Sequence, residues 1–152
     1  MYFFDSDVCI EIMRGHLPRA QEIMRKSSPD LFGVPAIVEA ELLYGAENSN
    51  NPEEGRYFVE SLLSPLHIIP FDSRCAACYA RVRADLKRRG CIIGPNDLLI
   101  AATALAHGAT LVSNNTRVFR RVEGLLLELW AEVDFYGRSE ENLQARGFLS
   151  GI

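Results

Sequence analysis

The chain has 152 residues, a formal net charge of -4 and 48% apolar residues, enough for one compact core without a second domain. That charge argues against nucleic-acid binding through an overall basic surface and leaves only local basic patches. No apolar run approaches the roughly 20 residues of a membrane span, and no basic segment followed by an apolar stretch opens the chain, so a soluble, cytoplasmic protein is expected.

Tyr2-Phe-Phe reads as a short buried strand ending at Asp5-Ser6-Asp7, after which Val8, Cys9, Ile12 and Met13 recur at helical spacing. Gly15 closes that helix. Pro18 can open the next, with Ala20, Ile23 and Met24 on its apolar side and an end near Ser27-Ser28-Pro29. Leu31-Phe-Gly-Val34 is the second strand, and Pro35 stands where a helix can begin without needing an N–H. This helix carries Val38, Leu42 and Leu43 inward. Glu39 and Glu41 lie two apart and point to opposite sides, so at most one reaches a shared site, and periodicity does not choose between them. Gly45 and Asn48-Ser-Asn-Asn-Pro52 break the chain, and Tyr57, Phe58 and Leu62 mark another helix ending before Pro65.

Leu66-His-Ile-Ile-Pro70 is a third strand, and Asp72 caps a long helix from about Ser73 to Arg89 that Gly90 closes. Behind the Gly94-Pro95 turn, Asn96 reads as an N-cap with Asp97 in the first turn. The apolar run that follows is too unbroken for a surface helix. Gly108 stops it, and Ala109-Thr-Leu-Val-Ser113 is a short buried strand. The polar cluster Ser113-Asn114-Asn115-Thr116 follows where α/β sheets place their ligand sites. A short helix with Val118, Phe119 and Val122 precedes a last strand over Leu125–Leu129. The chain thus divides into a domain over 1–133 and a polar, glycine-spaced tail over 134–152, expected to be disordered or to dock on a partner.

Strands separated by helices predict an α/β fold with a mostly parallel central sheet of about five strands and helices on both faces. Right-handed crossovers put the strand ends that feed helices on one edge, so Asp5 comes near the Ser113–Asn115 turn and the helices bearing Glu41 and Asp97. Three carboxylates without a basic neighbour in sequence must take up protons or be relieved by a cation. Hard oxygen ligands with room for water suit Mg2+ or Mn2+, and such a site fits phosphodiester cleavage by activated water. Each acid also has a plain structural use, Asp5 and Asp97 at helix N-termini and Glu41 as a solvated side chain.

Other chemistries find less support. No glycine-rich phosphate loop or nucleophile elbow is present, and His16, His67 and His107 lack metal-ligand spacing. His107 instead reads as a partner of its helix's C-terminal dipole. Cys75 and Cys78 form a C-x-x-C without a second pair, and with Cys9 and Cys91 they read as reduced, partly buried thiols.

Phe4-Asp5-Ser6, Ala40-Glu41-Leu42 with Tyr44-Gly45, Gly94-Pro-Asn-Asp97-Leu-Leu-Ile-Ala-Ala and Thr110-Leu-Val-Ser-Asn-Asn-Thr-Arg-Val-Phe119 together resemble the motifs of PIN-domain ribonucleases. More narrowly, the chain resembles VapC toxins of type II toxin–antitoxin pairs, from Met1 to about Trp130. The resemblance implies a three-layer α/β/α fold, a metal-dependent endoribonuclease acting on structured RNA such as tRNA, a cognate antitoxin and a homodimer. It maps the catalytic set onto Asp5, Glu41, Asp97 and Asn115, with Asp5 and Asp97 as metal ligands, and so selects Glu41 over Glu39.

Two positions depart from the family pattern. Asp7 stands where Asn is common, adding charge or capping the helix. The fourth position falls on Asn114 or Asn115, and Val118 replaces a Glu of related sequences, which implies weak metal affinity until RNA arrives. Arg81, Arg83, Lys87, Arg117, Arg120 and Arg121 are candidates for the basic surface that a polyanionic substrate requires. The alternative from a different class is a PIN-like RNA-binding or protein-interaction module with weak or no catalysis.

Overall fold

The computed structural model describes residues 1–131, so the expected tail over 134–152 and the domain end at 133 lie outside the described residues. Five strands, β1 (Tyr2–Phe4), β2 (Phe32–Pro35), β3 (His67–Ile69), β4 (Thr110–Val112) and β5 (Leu126–Glu128), form one sheet in the order β3-β2-β1-β4-β5. All four pairings are parallel. Between them run α1 (Ser6–Met13), α2 (Pro18–Lys26), α3 (Ala36–Glu47), α4 (Pro52–Leu63), α5 (Ser73–Arg89), α6 (Pro95–Ala106) and α7 (Thr116–Phe119). This is the expected α/β fold, and its central strands β1, β2 and β4 are apolar because helices cover them, while the edge strands β3 and β5 are largely exposed.

The central strands are the most buried. Phe3, Phe4, Val34, Leu111 and Val112 are fully enclosed, and each such side chain contributes about 1.5–3 kcal/mol by leaving water. Phe4 stacks on Phe32 at 5.6 Å between ring centroids, and Trp130 meets Phe4 edge-on at 5.5 Å, which pins the chain after β5 against β1 and β2. On α6, Leu98, Ile100, Ala101, Ala102, Thr103 and Ala104 are all buried. That helix is inside the molecule, as its unbroken apolar run predicts.

Helix ends follow local chemistry. Asp72 caps α5 by accepting from the N–H groups of Arg74 and Cys75, both at 3.1 Å, and Gly90 ends it in the left-handed conformation at φ 68°. Strands β3, β4 and β5 are each one residue shorter at both ends than the sequence expectation, and three further boundaries differ from it. Gly94, not Asn96, is the N-cap of α6, because Pro95 takes the first helical position, where its missing N–H costs nothing. β2 begins at Phe32, after Pro29–Leu31 forms a 3-10 turn. Gly45 lies inside α3, which runs on to Glu47 because buried Leu42 and Ala46 hold its last turns to the core.

Candidate active site

The chain leaves β1 toward β2 on one side of the sheet and returns to β4 on the other. Beyond the carboxyl ends of β1 and β4 lies the switch point where doubly wound sheets open a crevice. Asp5 and Ser113 occupy those ends. The Asp5 N–H donates to Val112 O at 3.0 Å, which fixes its place in the sheet register.

Asp5 is only 5% exposed. Its Oδ1 accepts from Ser6 N at 2.8 Å and its Oδ2 from Ser113 Oγ at 2.7 Å. Burial disfavours the charged form and raises its pKa above the usual carboxylate value, against the opposing pull of the Ser113 and Ser6 hydrogen bonds. Asp97, in the first turn of α6, is also pushed up, first by burial and then by the charges of Asp5 and Glu41. Asp97 therefore lies in the field of both other acids. Glu41 projects from α3, where its Oε2 accepts from Ser6 Oγ at 2.8 Å. Glu39 makes no hydrogen bond or ion pair with the cluster among the described residues.

Asp7 serves as a tie between two loops. Its Oδ1 accepts from Val8 N at 2.7 Å and its Oδ2 from Asn114 N at 3.1 Å, which binds the first turn of α1 to the segment after β4. Asn115 is exposed at the N-cap of α7; its N–H donates to Ser113 Oγ at 3.0 Å, and its side chain makes no capping bond. Asn114 is half-buried, with its Oδ1 enclosed and lacking a hydrogen-bond partner. Cys9 is fully buried below, and burial together with Asp5 and Asp7 drives its thiol pKa far up, so it is an inert packing residue. The other cysteines are also free, Cys75 and Cys78 being buried. His107 is the C-cap of α6, its ring edge-on to Phe3 and its Nε2 buried without a hydrogen-bond partner.

No Lys or Arg pairs with Asp5, Glu41 or Asp97 among the described residues. Nor do three or more His, Cys, Asp or Glu side chains there converge closely enough to form a metal shell by themselves. This donor set fits magnesium or manganese, which bind through one or two carboxylates and complete the shell with water and substrate oxygens. Asp5 and Asp97 are the pair with raised pKa values, Asp5 through burial and Asp97 through burial and the charges of Asp5 and Glu41.

The basic candidates separate into groups. Arg83 and Lys87 line a pocket against the start of α6, whereas Arg81 lines another with Asp85, Arg88 and Glu123 and donates to Cys78 Sγ at 3.2 Å. Arg117 and Arg120 are exposed on or beside α7. Arg121 has a structural contact: its Nη1 donates to Ile92 O at 3.2 Å, while its own carbonyl accepts from Arg89 Nη2. In the sequence, Ser113 stands in the polar cluster after β4 and Ser6 in the Phe4-Asp5-Ser6 motif, but neither hydroxyl has a role there; the fold gives each one a carboxylate, Asp5 for Ser113 and Glu41 for Ser6.

The PIN domain model matches residues 2–125. The chain is 37% identical over 133 residues to Ribonuclease VapC2 of Rickettsia felis, covering 86% of this chain and 98% of that protein. The chain belongs to the PIN-domain family, among the VapC ribonucleases. It is also 32% identical over 130 residues to the tRNA(fMet)-specific endonuclease VapC of Shigella flexneri, covering 86% of this chain and 98% of the relative. The same VapC fold is found in VapBC of Salmonella typhimurium bound to DNA, with a TM-score of 0.81, 32% identity and coverage of 86% and 98%. VapBC2 of Rickettsia felis, bound to a promoter DNA fragment, gives a TM-score of 0.77 at 35% identity, covering 85% and 98%. The switch-point crevice is thus built on a PIN scaffold.

Proposed function

We propose that this chain is a Mg2+- or Mn2+-dependent endoribonuclease toxin that cuts structured RNA such as tRNA and is held in check by a cognate antitoxin. The observation that carries this reading is the field of Asp5 and Glu41 on Asp97, which no basic side chain of the described residues relieves. Asp5 and Asp97 are the residues that would hold the ion. When bound, it would lower the pKa of a water molecule and offset charge developing on the phosphate. Ser113 and Ser6 hold the Asp5 carboxylate, so its orientation is fixed before substrate arrives. Ser6 also occupies Glu41 Oε2, leaving Oε1 to take a proton from the attacking water. The Asn115 amide, exposed at the start of α7, donates to a phosphate oxygen.

A tRNA substrate is supported by the likeness to the tRNA(fMet)-specific endonuclease of Shigella flexneri. An antitoxin partner is supported by the solved relatives being VapBC assemblies. A groove of about 460 Å3 between α1, α3 and α4 supports it further: Ile10, Met13, Leu42 and Val59 line it, with Glu41 in its wall. Tyr44, Tyr57 and Phe58 are 71%, 66% and 50% exposed on these helices, the apolar display that a partner helix covers. The family resemblance supports a homodimer working in the cytoplasm, and no helix of the described residues is long and apolar enough to cross a membrane.

The test is incubation of antitoxin-free protein with a tRNA(fMet) transcript. Cleavage with magnesium or manganese and none in excess EDTA is the expected result. Cleavage undiminished by the chelator would overturn the metal role, and no cleavage of any RNA with either ion would overturn the activity.

A further inference from the structure

Beside the first turn of α6 lies a pocket of about 400 Å3 lined by Tyr79, Arg83, Lys87, Ile92, Pro95 and Leu98, among others. Its wall includes Pro95 and Leu98, which bracket Asp97 in the first turn of α6, so the pocket adjoins the turn that carries this carboxylate. The Arg83 guanidinium lies over the ring of the lining residue Tyr79, 5.8 Å from its centroid, and Phe71 meets the same ring edge-on at 6.3 Å. Arg83 Nη1 donates to Tyr79 Oη at 2.9 Å. The planar cation is therefore already oriented on an aromatic support, and ligand binding need not pay for ordering it.

Charge separates this pocket from the rest of α5. Arg88 and Arg89 are paired with Asp85, at 3.7 and 2.7 Å. Arg83 and Lys87 have no carboxylate partner among the described residues. Ile92, 74% exposed, supplies an apolar rim. An aromatic–guanidinium platform, an apolar edge and two unneutralised cations are the parts that hold an unstacked base together with its phosphate.

We propose that this pocket is a nucleotide subsite that takes one splayed base of the RNA on the Tyr79–Arg83 platform, with its phosphate on Lys87, next to the scissile bond. The inference rests on the ribonuclease reading and deepens it. It assigns to Arg83 and Lys87 a role that Arg88 and Arg89, tied to Asp85, do not share.

The experiment uses the full chain and a fluorescein-labelled RNA hairpin with a single-stranded loop. Cleavage by wild type with manganese is measured first. Anisotropy then gives Kd for Asp97→Asn protein carrying, in turn, Arg83→Gln, Lys87→Gln, Tyr79→Ala or the control Arg88→Gln, at several salt concentrations. Arg83→Gln and Tyr79→Ala should each weaken binding about ten-fold, within the range for loss of one stacked base. Lys87→Gln should lower the salt slope by about one counterion, and Arg88→Gln should change neither. Arg83→Gln changes only an exposed side chain, so its effect is readable even if Tyr79→Ala fails to fold. If wild type cleaves the hairpin while all three pocket variants match the control, the subsite is wrong and the ribonuclease reading stands. If wild type cleaves no RNA, both fall. Sedimentation completes the test: variants that turn a dimer into a monomer at unchanged Kd would show that a second copy of the chain occupies the pocket, and would overturn the proposal.

Discussion

Ser113 Oγ donates a 2.7 Å hydrogen bond to Asp5 Oδ2 across 108 positions of sequence, with both side chains buried. The same oxygen accepts the Asn115 N–H at 3.0 Å. One hydroxyl thus joins the end of β1 to the turn after β4 and orients the most buried acid of the site. Removing it as Ser113→Ala leaves one carboxylate oxygen and one N–H without their partner. A lost bond to a charged group costs about 1.5–3 kcal/mol. Thermal melts should show a loss in that range, and RNA cleavage should fall with kcat more than with KM. An unchanged melt would mean that Asp5 is protonated or hydrated and does not rely on Ser113.

Asp7→Asn separates the loop tie from a role in ion binding. The carboxylate accepts two N–H donors, from Val8 and Asn114, one on each oxygen. An amide offers one acceptor and turns a second donor toward an N–H. The expected cost is about 1.5–3 kcal/mol, the loss of one hydrogen bond to a charged group, equal with and without metal. A penalty seen only in the presence of manganese would make Asp7 a ligand instead.

Glu41→Gln should abolish RNA cleavage, and Glu39→Gln should leave it within about two-fold of wild type. Glu41 acts on Asp97 and is held by Ser6, whereas Glu39 makes neither contact. Equal loss in both variants would indicate damage to α3 and not removal of a site group, which circular dichroism would reveal.

The architecture was legible because its signals are local. The buried apolar run of α6, Asp72 before α5, and the glycines after α5 and α6 each settle a boundary through their own backbone preferences. Topology then brings Asp5 and Ser113 to one edge. What composition and spacing could not choose depends on helix rotation and on contacts distant in sequence. The choice of Glu41 came from a family motif, and its bond to Ser6 follows from how α3 packs on α1. The pairing of Ser113 with Asp5 spans nearly the whole chain. Arg121 read as an RNA contact is, in the fold, also bound to Ile92 O, because its position relative to the stretch after α5 has no signature in its neighbours. At the start of α6, Asn96 has the composition of a cap, but Pro95 decides the register.

The pH dependence of the metal-free protein follows from the same cluster. Asp5 and Asp97 titrate above their ordinary 3.8 in the folded chain. The folded state holds these protons more tightly than the unfolded one, so their contribution to stability is complete below pH 3.8 and is lost as pH rises through the raised values. Asp72, pulled down by its hydrogen bonds to Cys75 and by Arg74, runs the other way, its contribution being lost as pH falls through its lowered value. Melts in EDTA should therefore show Asp97→Asn gaining on wild type as pH rises from acid to neutral. A constant difference at all pH values would show that Asp97 does not titrate differently on folding.

The most direct measurement of the central claim, that Asp5, Glu41 and Asp97 form an acid cluster needing a cation, is a pair of melts at neutral pH. Wild type and Asp97→Asn are each unfolded in EDTA and in saturating manganese. In EDTA, removing one charge relieves like-charge repulsion, and Asp97→Asn should be as stable as wild type or more so. In manganese the order should reverse, because an ion bound only to the folded state adds about 2.7 kcal/mol at one hundred times Kd, and the variant has lost a ligand. The opposite pattern, Asp97→Asn losing a few tenths to about 1 kcal/mol in EDTA with no added gain for wild type in manganese, would identify Asp97 as a helix-terminus residue and contradict the site.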